Sequence, residues 1–167
     1  MKFKIPQLIE LPRFNDPRGN LSVIENSKNI PFSIKRTYWI YDVPGGQVRY
    51  GHAFRAQEEF IVALSGSFDV TINDGTKETK FHMCRSYYGL YVPKLNWRVI
   101  DNFSTNSVAL IITDTDYDES DYIYNFQEFQ QLRNGNTKRK QDFIERRQLQ
   151  NNQARQDSSP EWQSHSC

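Results

Sequence analysis

The run Arg49-Tyr50-Gly51-His52-Ala53-Phe54 holds the first residues whose types could do chemistry. In a regular strand Tyr50, His52 and Phe54 share one face, and Arg49, Gly51 and Ala53 share the other. With the first set turned inward, His52 sits in an aromatic pocket. An imidazole with an ordinary pKa of about 6.5 suits a proton shuttle at neutral pH. The alternative is a hydrogen-bonded core histidine. A second run places Arg36, Tyr38 and Ile40 on one face. An arginine between apolar neighbours is either an outward ion pair or a clamp for a phosphate or carbonyl oxygen. Arg98, beside Trp97, offers a cation–π contact or another clamp. Arg18, in a turn, is a further candidate.

A metal is not expected at these residues. The usual site in a small barrel needs two histidines one residue apart, a downstream glutamate and a third histidine. Here His52-Ala53-Phe54 lacks the second, and Tyr91 to Arg98 contains none. One imidazole and one carboxylate rarely hold a transition metal. His82, in an expected edge strand, and His165 look incidental. Cys84 and Cys167 have neither disulfide-framework nor zinc spacing. A glycine-rich phosphate loop, a Gly-x-Ser-x-Gly elbow and a paired-cysteine motif are all missing.

The elements that would position these residues are short and punctuated. Strands are expected at Leu21–Glu25, Ser33–Tyr41, Val48–Phe54, Phe60–Leu64, Ser67–Asn73, Thr79–Cys84, Tyr88–Val92, Trp97–Ile100 and Val108–Thr113. Phe68, Val70 and Ile72 alternate cleanly, and Asp74-Gly75 is a hairpin signal. Many short strands at regular spacing indicate an all-β sandwich or barrel. From Glu119 to Leu132, Tyr122, Ile123, Phe126 and Phe129 fall at helical spacing and predict one short C-terminal helix. After Arg133 the composition turns to Gln, Asn, Arg and Ser, too polar to offset the entropy of ordering. Residues 1–133 are therefore expected as one domain, and 134–167 as a disordered polar tail.

Charge narrows the partners. Lysine and arginine total 21, aspartate and glutamate 20, in a chain of 167 residues. That balance gives no global attraction to nucleic acid or acidic membranes. No stretch approaches the roughly 18 apolar residues of a membrane span. A cytoplasmic setting is the simplest expectation.

Taken in order, several motifs resemble one family. They are Asp16-Pro17-Arg18-Gly19-Asn20-Leu21, Asn29-Ile30-Pro31-Phe32-Ser33-Ile34-Lys35-Arg36, Arg49-x-x-His52-Ala53 and Leu64-Ser65-Gly66-Ser67-Phe68-Asp69-Val70. Asp74-Gly75, Gly89-Leu90-Tyr91-Val92-Pro93, Trp97, Asp101-x-Phe103-Ser104 and Tyr117-Asp118-Glu119-x-Asp121-Tyr122-Ile123 follow. Over roughly residues 7 to 132 the chain resembles the sugar 3,4-ketoisomerases among the WxcM-like cupins. The resemblance implies a cupin (jelly-roll) barrel without metal or cofactor, and a homodimer with exchanged N-terminal strands. It implies a dTDP-linked 4-oxo-6-deoxy sugar as ligand, and migration of the ketone from C4 to C3 through an enediol. The product would be a precursor of 3-amino-3,6-dideoxy sugars in surface glycans.

By the same resemblance His52 is the base and Tyr38 an active-site tyrosine. Arg36 and Arg49 bind the diphosphate or polarise a carbonyl, and Arg18 and Arg98 lie near the sugar. The chain departs from the family at Phe54, where a second histidine is usual. Proton transfer then rests on His52 with Tyr38 assisting, or the protein binds a sugar nucleotide without turning it over. A 3,5-epimerase is the remaining alternative, although its His–Asp dyad is not found.

Overall fold

The computed structural model describes residues 5–135. Twelve strands follow one another: β1 (Gln7–Glu10), β2 (Arg13–Phe14), β3 (Leu21–Ser22), β4 (Arg36–Ile40), β5 (Arg49–Phe54), β6 (Glu59–Ser65), β7 (Phe68–Asn73), β8 (Glu78–Met83), β9 (Tyr88–Val92), β10 (Trp97–Asp101), β11 (Val108–Thr113) and β12 (Tyr122–Ile123). One five-stranded antiparallel sheet runs β1-β9-β6-β11-β4, and the other runs β12-β5-β10-β7-β8. The two face each other across one core, as expected of a jelly roll.

Alternation decides which side chains fill that core. Phe68, Val70 and Ile72 of β7 meet Ile61, Ala63, Leu90 and Ile111 from the opposite sheet, all fully or nearly fully buried. The intervening residues of β6, Phe60 and Val62, point outward. There Leu11, Ile30 and Phe32 of the N-terminal segment cover them. The β7–β8 hairpin turns at Asp74-Gly75, with Gly75 at φ +91° and the Asp74 carboxylate accepting from the Thr76 and Lys77 amides.

Two expectations fail in instructive ways. The helix expected from Glu119 to Leu132 is three elements. A 3₁₀ turn over Glu119–Asp121 leads into β12, and helix α1 begins at residue 126 and runs to 135, the last described residue. Asp121 accepts from the Ala56 and Gln57 amides, which pins the segment as a strand beside β5. Asn125 then caps α1 by accepting from the Glu128 amide. Phe129 packs with Ala53, Leu95 and Ile123 beneath α1, and Phe126 and Phe129 lie against Trp97.

The second failure is in β5. Arg98 pairs with His52 and Ile100 with Arg49, so the register slips between those pairs. One extra residue on β5 is absorbed by a bulge. Arg98 and Ile100 both face inward, and therefore so do their partners. Arg49 and His52, expected on opposite faces, share one. Gly51 makes this possible: a Cβ there would lie 2.2 Å from Trp97 Nε1 and 2.9 Å from Val99 Cγ2.

The basic cluster Lys138-Arg139-Lys140, the possible helix through Phe143–Gln150 and the disordered tail all lie outside the described residues, as does most of 134–167. No described helix is long and apolar enough to cross a membrane.

Candidate active site

The barrel interior opens into a cavity of about 520 Å³ lined by Tyr38, Ile40, Val48, Arg49, Tyr50, His52, Arg98 and Tyr122. Four strands supply it: β4 gives Tyr38 and Ile40, β5 the Arg49–His52 stretch, β10 Arg98, and β12 Tyr122. Four of the candidates read from the sequence, Tyr38, Arg49, His52 and Arg98, thus line one cavity, Tyr38 from one sheet and the other three from the facing one.

Its deepest charge is Glu59, only 1% exposed. It shares strand parity with the inward Ile61 and Ala63, whereas Glu58 turns outward and accepts from the Tyr91 hydroxyl at 2.8 Å. Glu59 is gripped bidentately by Arg98, with Nε to Oε2 at 2.5 Å and Nη2 to Oε1 at 3.0 Å. Tyr38 donates its hydroxyl to Glu59 Oε1 at 2.9 Å and accepts from Arg98 Nη2 at 3.2 Å. Gln57 adds a longer contact of 3.4 Å to the same carboxylate.

The buried charges stabilise one another. Burial alone would raise the Glu59 pKa, but the Arg98 guanidinium and its hydrogen bonds hold it below the ordinary value. Burial works against the charge on Arg98 too, yet Glu59 more than offsets it and the pKa rises. Tyr38 is pushed well upward, first by burial and then by the neighbouring carboxylate.

His52 is surrounded by rings. Phe54 meets it edge-on at 4.9 Å, Tyr122 lies at 5.2 Å and Tyr124 at 6.2 Å. Its Nε2 is buried without a hydrogen-bond partner among the described residues. Burial, followed by the charge of Arg98, lowers its pKa to about 4. The imidazole is therefore neutral at physiological pH and can accept a proton.

The remaining arginines differ. Arg49 has no side-chain partner among the described residues and sits at the cavity with a free charge. Arg36 is off the lining. It donates to Gln57 Oε1 at 3.0 Å and lies 5.3 Å from the centres of both the Tyr38 and Tyr117 rings. Arg18 is not brought to the cavity: it pairs with Asp16 at 2.9 Å with its side chain 90% exposed. His82, on edge strand β8, pairs with Asp69 at 2.7 Å on the outer face.

Gln57 and Tyr122 were not assigned from sequence, and the adjacent Glu58 and Glu59 stood as alternatives, since parity lets only one share the His52 face. The parity of Glu59 with Ile61 and Ala63 was a usable signal, while Gln57 carried none. Tyr122 was absorbed into an apparent helical period. Among the described residues no cluster of three or more His, Cys, Asp or Glu side chains could hold a metal ion.

Comparison with known proteins agrees with this architecture. A curated TDP-4-oxo-6-deoxy-alpha-D-glucose-3,4-oxoisomerase from Aneurinibacillus thermoaerophilus is 37% identical over 123 residues, 74% of this chain and 88% of that one. The crystal structure of the WlaRB TDP-quinovose 3,4-ketoisomerase from Campylobacter jejuni matches with a TM-score of 0.74 at 36% identity, covering 77% of this chain and 99% of that chain. QdtA, a sugar 3,4-ketoisomerase from Thermoanaerobacterium thermosaccharolyticum solved with TDP, matches with a TM-score of 0.76 at 29% identity, covering 78% and 96%. The family described as FdtA: WxcM-like, C-terminal, matches residues 4–134, and the chain belongs to it.

Proposed function

We propose that the protein is an isomerase that moves the keto group of dTDP-4-oxo-6-deoxy-D-glucose from C4 to C3. The observation that carries this reading is the neutral, unpartnered imidazole of His52 in a cavity shared with Arg98, Tyr38 and the free charge of Arg49. The reaction needs a base at C3, an electrophile for the ketone oxygen and cationic groups for a diphosphate. His52 is the base. Arg98, held in place by Glu59 and by Tyr38, polarises the sugar oxygens, and Tyr38 assists by fixing it. Arg49 binds the diphosphate, and Arg36 supports the wall beside it through Gln57. Arg18 takes a lesser part in ligand binding.

The named activities of the relatives support this substrate class. The cytoplasm remains the expected setting, and a homodimer belongs to the reading. Light scattering of the purified protein should return twice the chain mass, and a single-chain mass would overturn that part.

The competing reading is a sugar-nucleotide-binding protein without turnover, favoured by Phe54 packed edge-on against His52. The deciding experiment incubates the protein with dTDP-4-oxo-6-deoxyglucose and follows the sugar by NMR. Migration of the ketone to C3, abolished in His52→Ala while TDP still binds, is the expected result. Tight binding with the ketone left at C4 would refute the isomerase.

A further inference from the structure

Moving a ketone along a sugar relocates two hydrogens. The one on C3 must reach C4, and the one on the C3 hydroxyl must reach the C4 oxygen. His52 suits the first transfer, but while it holds the carbon proton it cannot serve the oxygens. A second carrier is required, and the cavity wall offers few.

Ile40 and Val48 have no transferable proton. Arg49 and Arg98 polarise an oxygen but do not give up a proton at physiological pH. Tyr38 already donates its proton to Glu59 at 2.9 Å, and ionising it would set a phenolate against a buried carboxylate. Tyr50 lies at the open lip, 87% exposed. Phe54, paired across the ladder with Tyr122, is apolar.

Tyr122 is left. Its ring centre lies 5.2 Å from that of His52 and 4.5 Å from that of Phe54. Its hydroxyl has no hydrogen-bond partner among the described residues. Tyr122 lines the same cavity as Arg98, the cross-strand partner of His52.

Resting on the ketoisomerase reading, we infer that Tyr122 is a further catalytic residue that carries the proton between the two sugar oxygens. In the first half His52 takes hydrogen from C3, and the C3–H pair becomes the C3–C4 double bond. The C4 carbonyl π pair then binds the proton of the Tyr122 phenol, giving the enediol. In the second half the C3 hydroxyl returns its proton to Tyr122 and the C3 carbonyl forms. The double-bond pair collects the proton from His52 at C4. Both side chains end as they began, and no outside oxidant or reductant is needed.

The test compares the full-length protein with its Tyr122→Phe variant on dTDP-4-oxo-6-deoxyglucose in deuterated water. Ketone migration and deuterium entry at C3 of unreacted substrate are both followed by NMR. Migration in the variant should fall about 100-fold, with KM within about threefold of the parent. Exchange at C3 should slow far less than migration, because His52 and Arg98 still form the enolate. Migration within about threefold of the parent, or exchange and migration falling in parallel, would overturn the role of Tyr122 and leave the isomerase standing. An inert parent protein would remove the isomerase reading and this inference with it.

Discussion

Arg98 and His52 are direct cross-strand partners, and the guanidinium helps hold the imbedded imidazole neutral. A cation beside a base lowers its basicity. Glu59 partly offsets the Arg98 charge through two hydrogen bonds, and burial, aided by Arg98, keeps His52 deprotonated. One strand pair therefore sets the electrophile and the base together.

The first consequence is a displaced pH profile. With the His52 pKa lowered to about 4, kcat/KM should stay level as pH falls through the ordinary imidazole range and drop only near pH 4. Stability follows the same sign. The unfolded chain binds the proton with the ordinary affinity near pH 6.5 and the folded chain only near pH 4, so protonation favours unfolding. This contribution is intact above about pH 6.5 and is lost as pH falls toward 4. A pH–rate series and melts at matched pH values check both; a fall in kcat/KM centred near 6.5 would contradict the burial of His52.

Removing Glu59 should be costly in a particular way. Glu59→Gln leaves Arg98 buried without its counter-charge, and a loss of about 3–5 kcal/mol is expected in denaturant unfolding. The double variant Glu59→Met, Arg98→Met removes both charges and should recover much of that loss while remaining inactive. If the double variant unfolds as readily as the single one, packing rather than charge governs the site.

Arg49 and Arg18 should separate cleanly in TDP titrations. Arg49 lines the cavity with a free charge, whereas Arg18 is tied to Asp16 at the surface. Arg49→Gln should weaken TDP binding by about 10–100-fold, the worth of a lost charge-assisted hydrogen bond. Arg18→Gln should weaken it less, and calorimetry showing the reverse order would move the diphosphate away from Arg49.

Gly51 should not tolerate even a methyl group. Its Cβ would fall within 2.6 Å of two atoms of the Trp97 indole, so Gly51→Ala should cost about 1–3 kcal/mol through overpacking. Activity should fall as well, because the bulge that turns Arg49 and His52 to the same side is strained open. Urea melts and initial rates measure the two effects; a variant of parental stability would show that the indole moves freely.

Much of this was legible in residues alone. Tyr88–Val92 and Val108–Thr113 were found at their true bounds because each is an apolar run between turn signals. Of the six candidates named from sequence, Tyr38, Arg49, His52 and Arg98 line the cavity, whereas Arg36 and Arg18 lie off it. Alternation failed at β5, since a bulge leaves no mark in residue types beyond one glycine. Periodicity failed at Tyr122, where a strand and a helix in succession mimic a single helix. Asp121, which splits them, acts through backbone amides far away in the chain, and no local pattern reports that.

The position of β12 carries a consequence for the order of assembly. The last strand among the described residues, β12, lies beside β5 and closes the cavity wall. A nascent chain can therefore collapse most of its core before the pocket exists, and ligand cannot rescue a partly folded chain. Sugar nucleotide should act as a late checkpoint: it binds only after the C-terminal segment has docked, and from then on it opposes undocking by mass action.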